Sequence, residues 1–296
     1  MKVPNHRDVL QGYAKGDIAM AIIVNTNMSA IKTQNNLNNA TNLLNSALER
    51  MSTGLKINRA ADDAAGMYVA SNLETQIRGS KVAQSNVETG INVLQTVEGN
   101  LDVINDNLLR IRDLAVQAAN GVYDADSLAA MQSEVTARLA EITRIQDSAK
   151  FNGMALFTAA DTGLGNTGLV LQVGANSDAN NQITAAKTIF QKITNPTVTL
   201  DSAANATTAI GNIDTALKSV VSKKADIGAV QNRLSSAQAS LVTSIENASA
   251  AKSTIMDADI SQEAADFTKA QILQQTSATL LTQANQLPAL ALSLIQ

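Results

Sequence analysis

The sequence predicts a mainly α protein: a long antiparallel helical bundle or coiled coil with a small β-rich region in the middle of the chain. Three observations carry that fold class. Apolar residues recur every seven positions through several long stretches, the spacing that lines them along one side of a helix. Aromatic residues are only 2% of the 296 and Trp is absent, so a core must be built from Leu, Ile, Val and Ala, which suits helices packed side by side. The β-prone pieces, finally, are confined to one turn-rich segment.

The chain opens with Lys2, Arg7 and Lys15 ahead of the apolar run "IAMAIIV" (18–24), which loosely imitates a secretory signal. The run is at the short limit for one, and Asn25 to Asn27 follow where small residues would mark cleavage. Leu37, Leu44 and Met51, flanked by Leu48 and Leu55, then give an amphipathic helix. A long helix of roughly 50 Å comes next. Its seam reads Val87, Leu94, Leu101, Leu108 and Ala115, with Val97, Ile104, Ile111 and Ala118 beside it. The turn "NGVYDADS" (120–127) folds it back onto a shorter helix between Asp126 and Ala149, which carries Leu128, Met131, Val135, Leu139, Ile142 and Ile145.

In the middle, "LVLQVG" (169–174), "NQIT" (181–184) and "TVTL" (197–200) read as short strands. A second long helix of roughly 60 Å carries Ile213, Val220, Ile227, Leu234, Leu241, Ala248 and Ile255. The last helix has a narrow seam of Leu273, Leu280, Leu287 and Leu294, with Ser277, Ala284 and Ala291 each four residues after a leucine. A seam this narrow needs a partner helix, and the N-terminal stretch is the candidate. Pro288 is expected to break or kink it.

Several functions are excluded or disfavoured by composition. There is no Cys, so disulfides and thiolate metal sites are ruled out. A net charge of −4 with so few aromatics argues against a nucleic-acid partner, and no apolar run is long enough for membrane insertion. The single histidine, His6, removes His-based triads and His metal sites. "GLGNTG" (163–168) has the spacing of a dinucleotide loop in the wrong context, a helix before it and a β-prone run after it, and reads as a glycine-rich turn. The Asp pairs of "RAADDAAG" (59–66) and "MDADIS" (256–261) read as helix caps or solvated groups. No catalytic residue, cofactor or metal is therefore expected. Arg110, Leu114 and Gln117 line one edge of the long helix, either as a packing margin or as a partner-binding stripe.

Residues 21–73 and 229–296, with the runs "RDLAVQAANG" (112–121), "FNGMALF" (151–157) and "KAQILQQ" (269–275), resemble the N- and C-terminal cores of bacterial flagellin. The resemblance covers roughly 21–175 and 206–296. It implies an inner-core helix over 20–62, the two halves of a helical core domain over 63–157 and 206–256, a short β-rich segment over 158–205, and a second inner-core helix over 257–296. Larger flagellins insert outer domains in the middle. The short segment here implies a thin, smooth filament. Residues 1–19 precede the family pattern and are expected to be disordered, or an upstream start or appended run.

By the same resemblance the chain is a non-enzymatic subunit that polymerises with itself for swimming motility. Its terminal seams, Leu37, Leu44, Leu48 and Met51 with Leu273, Leu280, Leu287 and Leu294, pair only on assembly. It is exported to the extracellular filament without a cleaved signal, and its partners are an export chaperone, the filament cap and hook–filament junction proteins. A junction protein of the same class is the alternative identity. "LLRIRDLAVQ" (108–117) is similar to the segment bound by the vertebrate Toll-like receptor for flagellin, which implies a recognition site at Arg110, Leu114, Gln117 and, on the next helix, Glu134. Arg110 and Glu134 are each twelve residues from Val122, mid-turn, so an antiparallel hairpin makes them neighbours, with Leu114 expected as an exposed anchor.

Overall fold

The computed structural model describes residues 26–293, with side chains described to residue 286. The described residues divide into two compact units, one of residues 26–67 and 255–293, the other of residues 68–254.

The first unit is an antiparallel hairpin of α1 (Met28–Thr53) and α7 (Ile260–Ser293). Asn27 starts α1, its side chain accepting from the Ala30 amide at 3.0 Å. Gly54, at φ 71°, ends it in the left-handed conformation that favours glycine. There the chain meets its own far end: the Lys56 amide donates to the Met256 carbonyl at 2.6 Å, and the Ala258 amide to the Gly54 carbonyl at 2.9 Å. One aspartate of each pair, Asp63 and Asp259, caps the helix that follows it, while Asp62 holds the loop before it. Asp62 accepts from the amides of Asn58 and Arg59, Asp63 from Gly66, and Asp259 from Ser261 and Gln262. Those amide bonds, Arg59 first, hold the Asp62 carboxyl below its usual range. Contrary to the expectation for Pro288, α7 is continuous in backbone through that position to Ser293.

The second unit is built on α2 (Ala64–Ala118), α3 (Ala125–Ser148) and α6 (Ala203–Met256). Four bridges fix α2 antiparallel to α6: Arg112 to Asp214 at 2.7 Å, Lys224 to Asp102, Gln238 to Glu88 at 3.3 Å, and Lys252 to Glu74 at 2.7 Å. Steps of ten, fourteen and fourteen residues along α2 are mirrored backward along α6. Between them Val87, Leu94, Leu101, Ile104, Leu108, Ile111, Ile213, Val220, Ile227 and Leu234 are fully buried, the heptad seams expected from sequence. At about 1.5 Å per residue α2 is on the order of 80 Å long, well beyond the length its leucines suggest. Before Val87 its buried side is mostly small, with Ala70, Ser80 and Ala83 around Ile77, and Gly90 follows, so a count of large apolar side chains passes over it.

Gly90 also admits the β-region. A Cβ there would stand 2.4 Å from Leu171 Cδ1, on the hairpin of β3 (Leu169–Gln172) and β4 (Gln182–Ala185). A two-residue turn at Asn152 and Gly153 joins β1 (Lys150–Phe151) to β2 (Met154–Ala155), both turn residues with positive φ. "GLGNT" forms the short helix α4 (Gly163–Thr167), closed by Gly168 at φ 73° rather than remaining a simple turn. Helix α5 (Lys187–Phe190) ends against the buried Lys223, whose ammonium donates to the Thr188 and Gln191 carbonyls. Burial pushes that amine down to about 8.

"TVTL" is not a strand. Residues 192–200 run extended across α3 and take side-chain partners instead. Gln146 accepts from the Ile193 amide at 2.7 Å and donates to its carbonyl at 3.4 Å. Two heptads earlier, Gln132 donates to the Val198 carbonyl at 3.2 Å and accepts from the Leu200 amide at 2.8 Å. The two glutamines supply what a neighbouring strand would have supplied.

Candidate functional site

Two surfaces carry the residues singled out by sequence, one in each unit. In the first unit the α1–α7 seam has 4-3 spacing on both helices. Apart from Glu263, its buried positions are small: Ala40 and Ala47 on α1, and Ala270, Ser277 and Ala284 on α7. Leu37 and Leu44, with Phe267, Gln274 and Leu281, are half-buried beside them. This corrects the expected seam. Leu48 is 45% exposed, Met51 36%, Leu273 43% and Leu280 52%, so these four stand outside the contact that Ser277 and Ala284 make. Small residues allow close approach of the two backbones, and the helices rotate to place them inside. Leu273 and Leu280 each precede a half-buried residue, so they form a row along the edge of the seam. The Leu287 side chain and all of Leu294 lie outside the described residues.

Polar groups fix the hairpin's register. Asn27 Nδ2 donates to the Ala284 carbonyl at 2.7 Å, Gln274 to Thr41 at 3.2 Å, and Arg50 pairs with the buried Glu263 at 3.4 Å. Such a seam holds alignment while burying little apolar area, and it leaves Leu43, Leu48, Ile272, Leu273 and Leu280 facing outward.

In the second unit the hairpin of α2 and α3 turns at Gly121, and Asp124 caps α3 by accepting from the Ser127 amide at 3.1 Å. Arg110 Nε reaches Glu134 Oε1 at 3.0 Å, the contact that equal distance from the turn predicts. Glu134 takes a second cation, Arg138 Nε at 3.0 Å, and Arg138 also reaches Asn107 Oδ1 at 3.2 Å. The two guanidinium groups, Arg110 first, hold the Glu134 carboxyl below its usual range, and Glu134 in turn raises Arg110. Gln117 is exposed and donates to the Tyr123 hydroxyl at 2.8 Å.

Leu114 is not an exposed anchor: only 4% of it is accessible. With α3 held on one side through Arg110 and α6 on the other through Arg112, the buried arc of α2 widens to take in Leu114 as well as Ile111 and Ala115. Leu109 and Val116, each one residue before Arg110 and Gln117, are the exposed apolar neighbours of this stripe. Sequence reasoning missed them, although both fall one step outside the buried heptad positions.

Among the described residues no cluster of His, Asp and Glu could hold a metal ion, and no helix is long and apolar enough to cross a membrane. What the molecule offers is helical surface, apolar at its termini and charged at the α2–α3 hairpin.

Comparison with known proteins gives these surfaces a context. A sequence model described as the bacterial flagellin N-terminal helical region matches residues 24–162, and one for the flagellin C-terminal helical region matches 210–295. The chain is 40% identical to the flagellar filament 31.3 kDa core protein of Treponema maltophilum, over 93% of this chain and all of that one. It is 38% identical to the flagellar filament 33 kDa core protein of Treponema phagedenis and 37% to a flagellin of Halalkalibacterium halodurans, each again covering 93% of this chain and all of the relative. A solved structure of a putative flagellar hook-associated protein from Vibrio parahaemolyticus shares the fold, with a TM-score of 0.54 at 18% identity over 66% of this chain and all of that one.

Proposed function

Because the chain belongs to the bacterial flagellin family, whose members are structural subunits of the flagellar filament, we propose that the outward leucines of its terminal hairpin are the polymerisation surface. One observation carries this. The α1–α7 seam is already closed by alanine and serine, so Leu48, Met51, Leu273 and Leu280 are left only partly covered, and a neighbouring subunit supplies the rest. Leu37 and Leu44 brace the seam from within. Leu287 and Leu294 continue the same seven-residue row in sequence.

Each leucine buried on assembly contributes about 1.5–3 kcal/mol, repeated at every subunit. Removing residues 283–296 should therefore abolish polymerisation while the second unit keeps its helices. Circular dichroism with electron microscopy tests this, and normal filaments from the truncated chain would refute it.

On this reading the chain is non-enzymatic, serves swimming motility, and leaves the cell by flagellar export without a cleaved signal to reach an extracellular filament. An export chaperone, the filament cap and hook–filament junction proteins are its further partners. The monomer is also a ligand for the vertebrate Toll-like receptor for flagellin. Arg110, Gln117 and Glu134 form the contact surface, and Leu114 supports it from beneath. The Arg110–Glu134 pair joins two helices on one exposed face, which favours this reading. Arg110→Asp places a carboxylate against Glu134 and should weaken receptor signalling by purified monomer tenfold or more with helix content retained. An unchanged dose response would overturn the site.

A further inference from the structure

The exposed methionines of α1 suggest that the polymerisation surface is open to chemical control. The chain has no Cys and no Trp, so its methionines are the side chains that a peroxide attacks most readily. They are not equally open to it. Met256 is 8% exposed, whereas Met28 is 63% and Met51 36% exposed; Met154, at 38%, is as open as Met51 but lies in the second unit, outside the terminal hairpin. Met28 and Met51 each lie three residues from another uncovered apolar side chain, Met28 from Ile31 and Met51 from Leu48, hence on the same helix face.

We infer that Met28 and Met51 are oxidation sites that make subunit assembly sensitive to peroxide, an inference that rests on the terminal hairpin being the polymerisation surface. The thioether sulfur attacks one peroxide oxygen and the O–O bond breaks. That oxygen is transferred to sulfur, which loses two electrons, and the other oxygen leaves as water. The product, a sulfoxide, is polar, and burying it between subunits desolvates an S=O group that the apolar neighbours Ile31 and Leu48 cannot satisfy. In an assembled filament the same sulfurs are covered, so oxidation controls the free subunit and spares the polymer. Methionine sulfoxide reductases reverse the change.

The experiment treats full-length monomer with hydrogen peroxide, maps sulfoxides by peptide mass spectrometry, and measures seeded polymerisation. Met28 and Met51 should oxidise at least tenfold faster than Met256, and polymerisation should slow tenfold or more, recovering after reductase treatment. The variant Met28→Leu with Met51→Leu, whatever its own rate of polymerisation, should keep that rate after peroxide. Parent chain that is oxidised at both positions yet polymerises at its original rate overturns the inference, as does a double variant that is still inhibited by peroxide. Loss of the polymerisation-surface reading has a different signature: the leucine-row variant Leu273→Ala with Leu280→Ala polymerises normally without any oxidant.

Discussion

The two units use the same heptad to opposite ends. In the second unit the large residues face in: Leu94, Leu101, Ile104 and Leu108 are fully buried between α2 and α6, and charges such as Arg112, Asp214 and Lys224 face out. In the first unit Ala40, Ala47, Ala270 and Ala284 face in, and Leu43, Leu48, Leu273 and Leu280 face out. Buried apolar area stabilises a fold in proportion to its extent, so the second unit has what it needs within one chain and the first does not. The difference teaches that a repeating leucine marks where apolar surface will be buried in the end, without saying whether the partner is the same chain or another.

A matched pair of substitutions gives the largest contrast. Leu101→Ala, at a fully buried position, should lower monomer stability by about 2–5 kcal/mol in chemical denaturation. Leu280→Ala, half exposed, should leave monomer unfolding within about 0.5 kcal/mol of the parent while raising the concentration needed for polymerisation at least tenfold. If both change monomer stability equally, the contrast between the units fails.

A smaller effect is expected within the second unit. Gln146→Leu leaves the buried Ile193 amide without its acceptor and should cost about 1–3 kcal/mol, seen as faster hydrogen exchange over 192–200 with the long helices unaffected. Global unfolding by this change would mean that the strap is integral to the core rather than fastened onto it.

The smallest concerns charge. Glu74 is held down to about 2 by Lys252 first and then Arg78. Its folded value is lower than the ordinary 4.5, so its contribution is complete above 4.5 and is lost as pH falls from there toward 2. Because the group is solvent-exposed, the loss should be slight and weaker in high salt. Thermal melting of the parent chain and of Glu74→Gln across that pH range checks the sign: the two should converge at the acid end.

Much of the fold was legible because Leu and Ile at seven-residue spacing admit one helical reading, as from Val87 to Ala118 and from Ile213 to Leu241. Legibility failed wherever small or polar residues did the packing. The first half of α2 was hidden behind Ser80, Ala83 and Gly90. The heptad places the terminal seam on leucines, whereas alanines close it. "TVTL" was read as strand because nothing in its own composition says that Gln132 and Gln146, far earlier in the chain, will take its backbone. At the α2–α3 surface, counting from Val122 located the Arg110–Glu134 contact, since turn geometry alone determines it. The same counting could not show that Leu114 would be enclosed, because that depends on a third helix.

The glutamine-fastened strap bears on a hazard particular to a chain that must polymerise. Any protein held at high concentration beside copies of itself can join them in a second, unwanted way, through exposed extended backbone acting as a template for cross-β stacking. Residues 192–200 are extended and include the β-prone "TVTL", yet the amides of Ile193 and Leu200 and the carbonyls of Ile193 and Val198 are already engaged by Gln146 and Gln132. With those groups engaged, that stretch is a poor template for amyloid-like growth, and ordered helical assembly has one competitor fewer.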